Sequence, residues 1–287
     1  MNMNDFTDED FSSLLSAMEE DEAKDKFASL YWKPAKEGVY KLRILTPLKQ
    51  FGEKLFFVKH KIHYIDGVPY FCLSQTLKDK NGVEHAAEAC PICAKSKQLY
   101  NGAVRDSEEW KLAGKLRAKD RYVSRVVVRG KTNADGENAE AYPEFWEFGK
   151  KIHDYFMEAV RLGECGNFLS LKDGRDFNFS KKGSGINTDY SSSALAMKTS
   201  PIFDEANIDK LKTLIEQLPS MEYSKLVEFR SPEELKRICD EWLTGGAKDP
   251  AQEKPQTPVE EETAPIEAPV EKEEAAGQNI DDLLKLI

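Results

Sequence analysis

The chain contains no run of about 18 consecutive apolar residues, so nothing in it reads as a helix crossing a bilayer. Its opening residues, Met1-Asn2-Met3-Asn4-Asp5, end on an acid, where a secretory leader carries basic and then apolar residues, so no leader is expected. Cysteine is scarce and odd in number, five in 287 residues, which argues against a disulfide framework and for a reducing compartment. Enzyme signatures are missing as well: there is no G-x-x-x-x-G-K-[ST] phosphate loop, no G-x-S-x-G elbow and no H-E-x-x-H, and the carboxylates gather near the two ends. No catalytic activity is therefore expected. What remains, 40% hydrophobic residues, suffices for a packed core.

The net charge of −10 is unevenly spread. Residues 1–25 carry −8 and residues 247–287 carry −7, which leaves +5 for the middle of the chain. Within that middle lies a basic stripe: Lys111, Lys115, Arg117, Lys119, Arg121, Arg125, Arg129 and Lys131, opposed only by Asp120. Clustered bases suit a polyanion, whereas acidic ends suit solvent or protein partners.

The scarce cysteines are not scattered. Cys90-Pro91-Ile92-Cys93 forms a C-x2-C knuckle, with Cys72 eighteen residues before it and His60 and His63 earlier still. Thiolate and imidazole are the ligands of a tetrahedral zinc ion, and a knuckle brings two sulfurs to one point. A redox dithiol would need a βαβ frame around the pair, which the surrounding pattern lacks. Four protein ligands leave no open position, so one structural Zn2+ is expected. Cys165 and Cys239 read as reduced core residues. Alternation over Leu55–Ile65 places His60 with Phe56, Val58 and Ile62 on the apolar face and His63 with Lys59 and Lys61 on the other. A two-residue Asp66-Gly67 loop sets Cys72 on the face of His63, and a three-residue loop with a bulge sets it on that of His60, so both histidines stay open.

Periodicity predicts strands at Gly38–Thr46, Leu55–Ile65, Val68–Leu73, Arg121–Arg129, Tyr142–Phe148, Phe168–Leu171 and Asp176–Phe179. It predicts helices at Ala94–Tyr100, Ser107–Asp120, Lys150–Val160, Glu205–Gln217 and Pro232–Leu243. Lys78–Glu88 reads as a polar loop, and Lys181–Ser193 as a Gly/Ser-rich one. This is an α+β pattern, mainly β with added helices, and short strands around one sheet suggest a small barrel. Three regions follow: an acidic arm (1–25) with a short amphipathic helix, a core (26–246) with a zinc module at about 56–100 and C-terminal helices at about 201–246, and a Pro/Glu-rich tail (247–287) that reads as disordered. The tail closes on Ile280, Leu283, Leu284 and Ile287, one helical face that reads as a docking peptide.

Aromatic residues accompany the bases: Tyr100 and Trp110 before or at the start of the stripe, Tyr122 within it, Trp146 just before Lys150-Lys151, and Tyr190 in the loop beside Lys181 and Lys182. Rings that stack on unpaired bases, with cations that follow phosphates, favour single-stranded nucleic acid over duplex. Phe148 and Phe156 read as core, while Trp146 is undecided on period alone. A different reading makes the chain a zinc-stabilised protein–protein adaptor of a nucleic-acid-processing complex.

In order along the chain, Gly38-Val-Tyr-Lys-Leu-Arg-Ile-Leu-Thr-Pro47, Val58-Lys59-His60 through Cys72 to Cys90-Pro-Ile-Cys93, Leu99-Tyr100-Asn101, Phe148-Gly149-Lys150-Lys151-Ile152 and Asp281-Asp282-Leu283-Leu284 resemble the single-stranded DNA-binding, helix-destabilising proteins of T4-like bacteriophages. The resemblance implies an OB-fold with an inserted Cys3His zinc module whose ligands are His60, Cys72, Cys90 and Cys93. It implies DNA-contacting aromatics at Tyr100, Tyr122 and Trp146, in a basic cleft, and an acidic tail that docks replication and recombination proteins and can cover the cleft. The function implied is coating of single-stranded DNA in replication, recombination and repair, in the cytoplasm of an infected bacterium, with self-association along the strand. Two positions depart from the pattern: the N-terminal arm is acidic where the family's cooperative arm is basic, and Val123 stands where an aromatic is expected.

Overall fold

The computed structural model describes residues 31–133, 136–183 and 187–245. The acidic arm and the tail with Ile280, Leu283, Leu284 and Ile287 lie outside the described residues.

A strand of ten residues, β7 (Lys119–Val128), organises the sheet. Along one edge it pairs antiparallel with β3 (Phe57–Ile65) over 119–124 and then with β2 (Gly38–Ile44) over 126–128. Along the other it pairs with β8 (Glu144–Phe148) over 122–126. The short β1 (Tyr31–Trp32) adds parallel to β8, β9 (Phe177–Lys181) and β10 (Ala194–Leu195) extend the sheet beyond β2, and β4 (Val68–Phe71) adds to β3. Residues 122–128 of β7 are all buried because both faces of the sheet are covered, which is why this strand lacks the apolar–polar alternation of a half-exposed one.

One face carries an aromatic core in which Trp146, Phe148 and Phe177 surround Phe156 of α3 (Lys150–Leu162). Phe156 stacks on Phe168 with ring centres 5.9 Å apart and meets Phe56 edge-on at 5.7 Å; such pairs add about 0.5–1.5 kcal/mol each beyond the area they bury. The other face packs Leu45 and Val127 against α4 (Ile208–Gln217), and Val123 and Phe145 against Tyr31 and Tyr223. A separate core forms where α1 (Pro91–Gly102), α2 (Glu108–Leu116) and α5 (Pro232–Thr244) meet the β3–β4 hairpin. Ser107 and Ser231 cap α2 and α5 by accepting from the amides of Trp110 and Glu234.

The mixed α+β reading agrees with this architecture, but local patterns misled in three places. Phe168–Leu171 is a turn rather than a strand: its carbonyls point inward, where Phe168 O accepts the Arg175 amide at 3.0 Å and Ser170 O receives the buried Arg43 at 3.4 Å. The loop expected at 78–88 contains a small hairpin, β5 (Leu77–Lys78) with β6 (Glu84–His85). The helix expected at Ser107–Asp120 ends at Leu116, and β7 begins three residues later. Among the described residues no pairing joins β1 to β10, so a closed OB-type ring is not part of the observed sheet.

Candidate metal centre and nucleic-acid interface

Asp66 and Gly67 both take positive φ, 49° and 81°, and Ile65 pairs with Val68, which makes the β3–β4 turn the two-residue type I′ form that Asp-Gly favours. The register follows from that turn. The Cys72 amide donates to Lys61 O at 2.8 Å, so Cys72 lies opposite Lys61, on the His63 side of the strand. Gln75 locks this arrangement, since its side-chain amide accepts from the Lys61 amide and donates to the carbonyls of Lys61 and Cys72.

His63, not His60, therefore joins the cysteines. His63 Nε2 lies 3.4 Å from Cys90 Sγ and 3.6 Å from Cys93 Sγ, and Cys72 Sγ lies 3.5 Å from Cys93 Sγ. All four ligand atoms fall within 4.8 Å of one another and can hold a metal ion. A tetrahedral ion with metal–sulfur bonds of about 2.3 Å keeps its sulfurs roughly 3.8 Å apart, close to the 3.5 Å between Cys72 and Cys93. Cys90 is the N-cap of α1 and Pro91 its first residue, which places Cys90 and Cys93 at the positive end of the helix dipole, where thiolates are favoured. His63 Nδ1 donates to Leu116 O at 2.7 Å, leaving Nε2 as the ligand atom. Burial pushes the His63 pKa down, but hydrogen bonds to Cys72 and Cys90 outweigh it and raise the value to about 9. Hydrogen bonds from Cys90 and Cys93 hold the Cys72 thiol well below its usual range, while Cys93, facing Cys72 and Cys90, is pushed up. Protons on this cluster are thus shared, and a cation would replace them.

His60 points the other way. It is 5% exposed, edge-on to Phe71 at 5.1 Å, its Nε2 has no partner, and burial lowers its pKa to about 4. Of the other cysteines, Cys239 is buried in the same core as Cys72 and Cys90, and Cys165 is half-buried.

The basic stripe does not line one trough. Arg125 is buried and pairs with Glu53, while its guanidinium lies 3.9 Å from the centre of the Tyr223 ring. Arg129 pairs with Asp176 and Glu140, and Lys131 with Glu144. These three hold the fold and are not free for a ligand. Trp146 is 1% exposed, inside the aromatic core, and Val123 is fully buried, so neither offers a stacking surface. Tyr122 is 5% exposed, and the ring of His153 covers it at 3.9 Å.

Lys111, Lys115, Arg117 and Lys119 are exposed, and Arg121 is half-buried. Lys111 is tied to Glu108 along α2, and the half-buried Tyr100 and Trp110 meet each other edge-on at 6.0 Å. Lys119 and Arg121 lie over the half-buried Tyr64 ring at 5.6 and 5.4 Å. Because β8 stops at Phe148, opposite Tyr122, residues 119–121 have β3 on one side and no strand on the other. Around this open edge stand Lys59, paired with Asp120 at 2.8 Å and 5.9 Å from the Tyr122 ring centre, and the first turn of α3. Lys150, paired with Asp154, also has Asp120 near enough to act on its charge. Its neighbour Lys151 acts on Asp189, across from Lys182 and next to Tyr190, which stacks on Phe179 at 5.0 Å. Trp32 and Tyr40, also half-buried, continue this aromatic patch. Sequence reasoning missed Lys59, Tyr64, His153, Trp32 and Tyr40; the pairing of β3 with β7, distant in sequence, reveals the first two, and the packing of α3 on Tyr122 reveals His153.

Basic residues along an open sheet edge, interrupted by half-exposed rings, are what a single strand of nucleic acid requires. Residues 37–241 match the family model described as gp32 DNA binding protein like. The chain belongs to this family. The match spans the His63–Cys72–Cys90–Cys93 cluster and the whole basic edge of this gp32-like protein, in agreement with the resemblance read from its motifs. A comparison with curated proteins finds no match. No helix among the described residues of the gp32-like chain is long and apolar enough to cross a membrane.

Proposed function

We propose that the protein is a non-enzymatic, sequence-tolerant coat for single-stranded DNA, acting in replication, recombination and repair in the cytoplasm of a phage-infected bacterium. The observation that carries this reading is the first turn of α3, where Lys150 lies near enough to Lys59 to act on its charge and Lys151, like Lys182, near enough to Asp189 to help the hydrogen bonds from Ser191 hold that carboxyl below its usual range. One strand laid across that turn meets cations on both sides, with His153 and Tyr190 within reach of its bases. The sheet, unpaired between β1 and β10, serves as the wall of a partly open OB-type barrel. The ion is zinc, the metal best suited to three thiolates and an imidazole, and its role is structural because no ligand position stays open. Through Leu116 O it braces the α2–β7 junction, from which Lys119 and Arg121 extend. The terminal Ile280, Leu283, Leu284 and Ile287 dock replication and recombination proteins, and neighbouring copies associate along the strand.

The test is a titration of the full chain with oligo-dT and with matched duplex over a salt series. Tight, salt-sensitive binding of oligo-dT with much weaker duplex binding supports the proposal, and equal affinity for the two overturns it. Zinc content without DNA binding would favour the adaptor reading instead. Removal of residues 247–287 is expected to tighten oligo-dT binding, since their charge of −7 competes with the phosphates.

A further inference from the structure

Glu147 is a carboxylate set beneath the basic edge. It lies on β8 opposite Val123, with its side chain 20% exposed. The Tyr64 hydroxyl donates to its Oε1 at 3.3 Å, Arg121 Nε lies 3.5 Å from the same oxygen, and Arg121 Nε also donates to the Tyr64 oxygen at 3.1 Å. Its Oε2 is buried and has no hydrogen-bond partner. The ionisable groups facing it are Arg121 from β7, Tyr64 from β3, Tyr31 of β1 and Lys33 just after it. His60, also on the Tyr64 face of β3, is neutral above about pH 5 because its pKa is near 4. Arg121 Nη1 points elsewhere: it lies 3.4 Å from where a side chain on Gly149 would begin, at the amino end of α3, where the first turn holds no acid and no side chain caps the helix.

We infer that Glu147 is a proton-linked positioning residue: ionised, it holds Arg121 against Tyr64 and offsets its charge, and binding of a phosphodiester beside Arg121 draws a proton onto the carboxylate. The inference rests on the single-stranded DNA reading above. A phosphate beside Arg121 adds negative charge near a carboxylate that already lacks a partner for one oxygen, so it favours the protonated form. Burial already places the Glu147 pKa above the usual carboxylate value, although Arg121 and Tyr64 pull it down. By linkage, affinity must rise as pH falls.

The measurement is oligo-dT binding by fluorescence anisotropy, with the zinc-loaded full chain at fixed ionic strength between pH 5.5 and 8. Thymine does not titrate in that range. Wild type is expected to gain about tenfold more affinity across it than Glu147→Gln, the equivalent of one pKa unit of linkage. Glu147→Gln is also expected to bind more tightly at pH 8. His153 is common to both proteins, so its contribution cancels in the comparison. Parallel pH profiles overturn the inference, whereas no oligo-dT binding by either protein overturns the DNA reading itself. If Glu147→Gln does not fold, calorimetry of His153→Asn in buffers of different ionisation enthalpy replaces it. Proton uptake on binding then supports the linkage, and a buffer-independent enthalpy contradicts it.

Discussion

Arg125 and Glu53 form a two-pronged ion pair, Nη2 to Oε1 at 2.6 Å and Nη1 to Oε2 at 2.7 Å, and Arg125 Nε donates to Met221 O at 2.6 Å. A base at the centre of the positive stripe is thereby committed to the fold. Arg125→Ala would leave Glu53 largely buried without its partner, a loss expected to cost about 3–5 kcal/mol. Urea denaturation should show that fall, while oligo-dT affinity of the folded fraction stays within about twofold, a difference below roughly 0.5 kcal/mol. A large affinity loss with unchanged stability would place Arg125 at the DNA instead.

The two histidines of β3 should separate cleanly. His63→Ala is expected to reduce bound zinc from one ion per chain toward none and to make the protein insensitive to chelators. His60→Ala should leave zinc stoichiometry unchanged. Metal analysis of both variants decides the assignment.

Burial of His60 has a pH signature of its own. Its pKa falls from 6.5 in the unfolded chain to about 4 in the folded one, so between those values the unfolded state binds more protons. Stability should therefore decline as pH drops through that window, by a total on the order of 3 kcal/mol from this residue. His60→Leu removes the contribution, and its urea midpoint should fall less than that of wild type between pH 7.5 and 4.5. Matching declines would contradict the assignment.

Gly174 lies where the 168–176 turn closes on Arg43. A side chain there would run into Ser170 O and begin 2.7 Å from Phe168 O, both backbone atoms that cannot move aside easily. Gly174→Ala is expected to destabilise the protein by about 2 kcal/mol or more, read from its denaturation midpoint. Arg43, whose Nε donates to Asp176 at 2.8 Å and whose Nη2 donates to Ser200 O at 3.0 Å, depends on the same turn.

What the sequence made legible was local. The Asp66-Gly67 turn, the strands β2 and β3, the Cys90–Cys93 knuckle and the helices α3 and α5 depend on residues a few positions apart, and all are found, although β2 and β3 are buried on both faces over Leu42–Ile44 and Ile62–His63 rather than alternating. The histidine choice depended on one residue of loop length, which only the hairpin geometry resolves. The fates of Arg125 and Arg129 depended on Glu53 and Asp176, partners too far along the chain for spacing to reveal. Trp146 could face either way on a period of two, and its burial follows from the packing of β8 under α3. Strands of two residues, such as β1 and β10, carry no periodicity to read.

The most direct measurement is the salt dependence of oligo-dT affinity for wild type and for a variant carrying Lys119→Ala and Lys151→Ala, one exposed base from the start of β7 and one from the first turn of α3. Two lost phosphate contacts should reduce the log–log slope by about 1.4, at roughly 0.7 per contact on a single strand. An unchanged slope would mean that the strand does not follow this edge of the sheet.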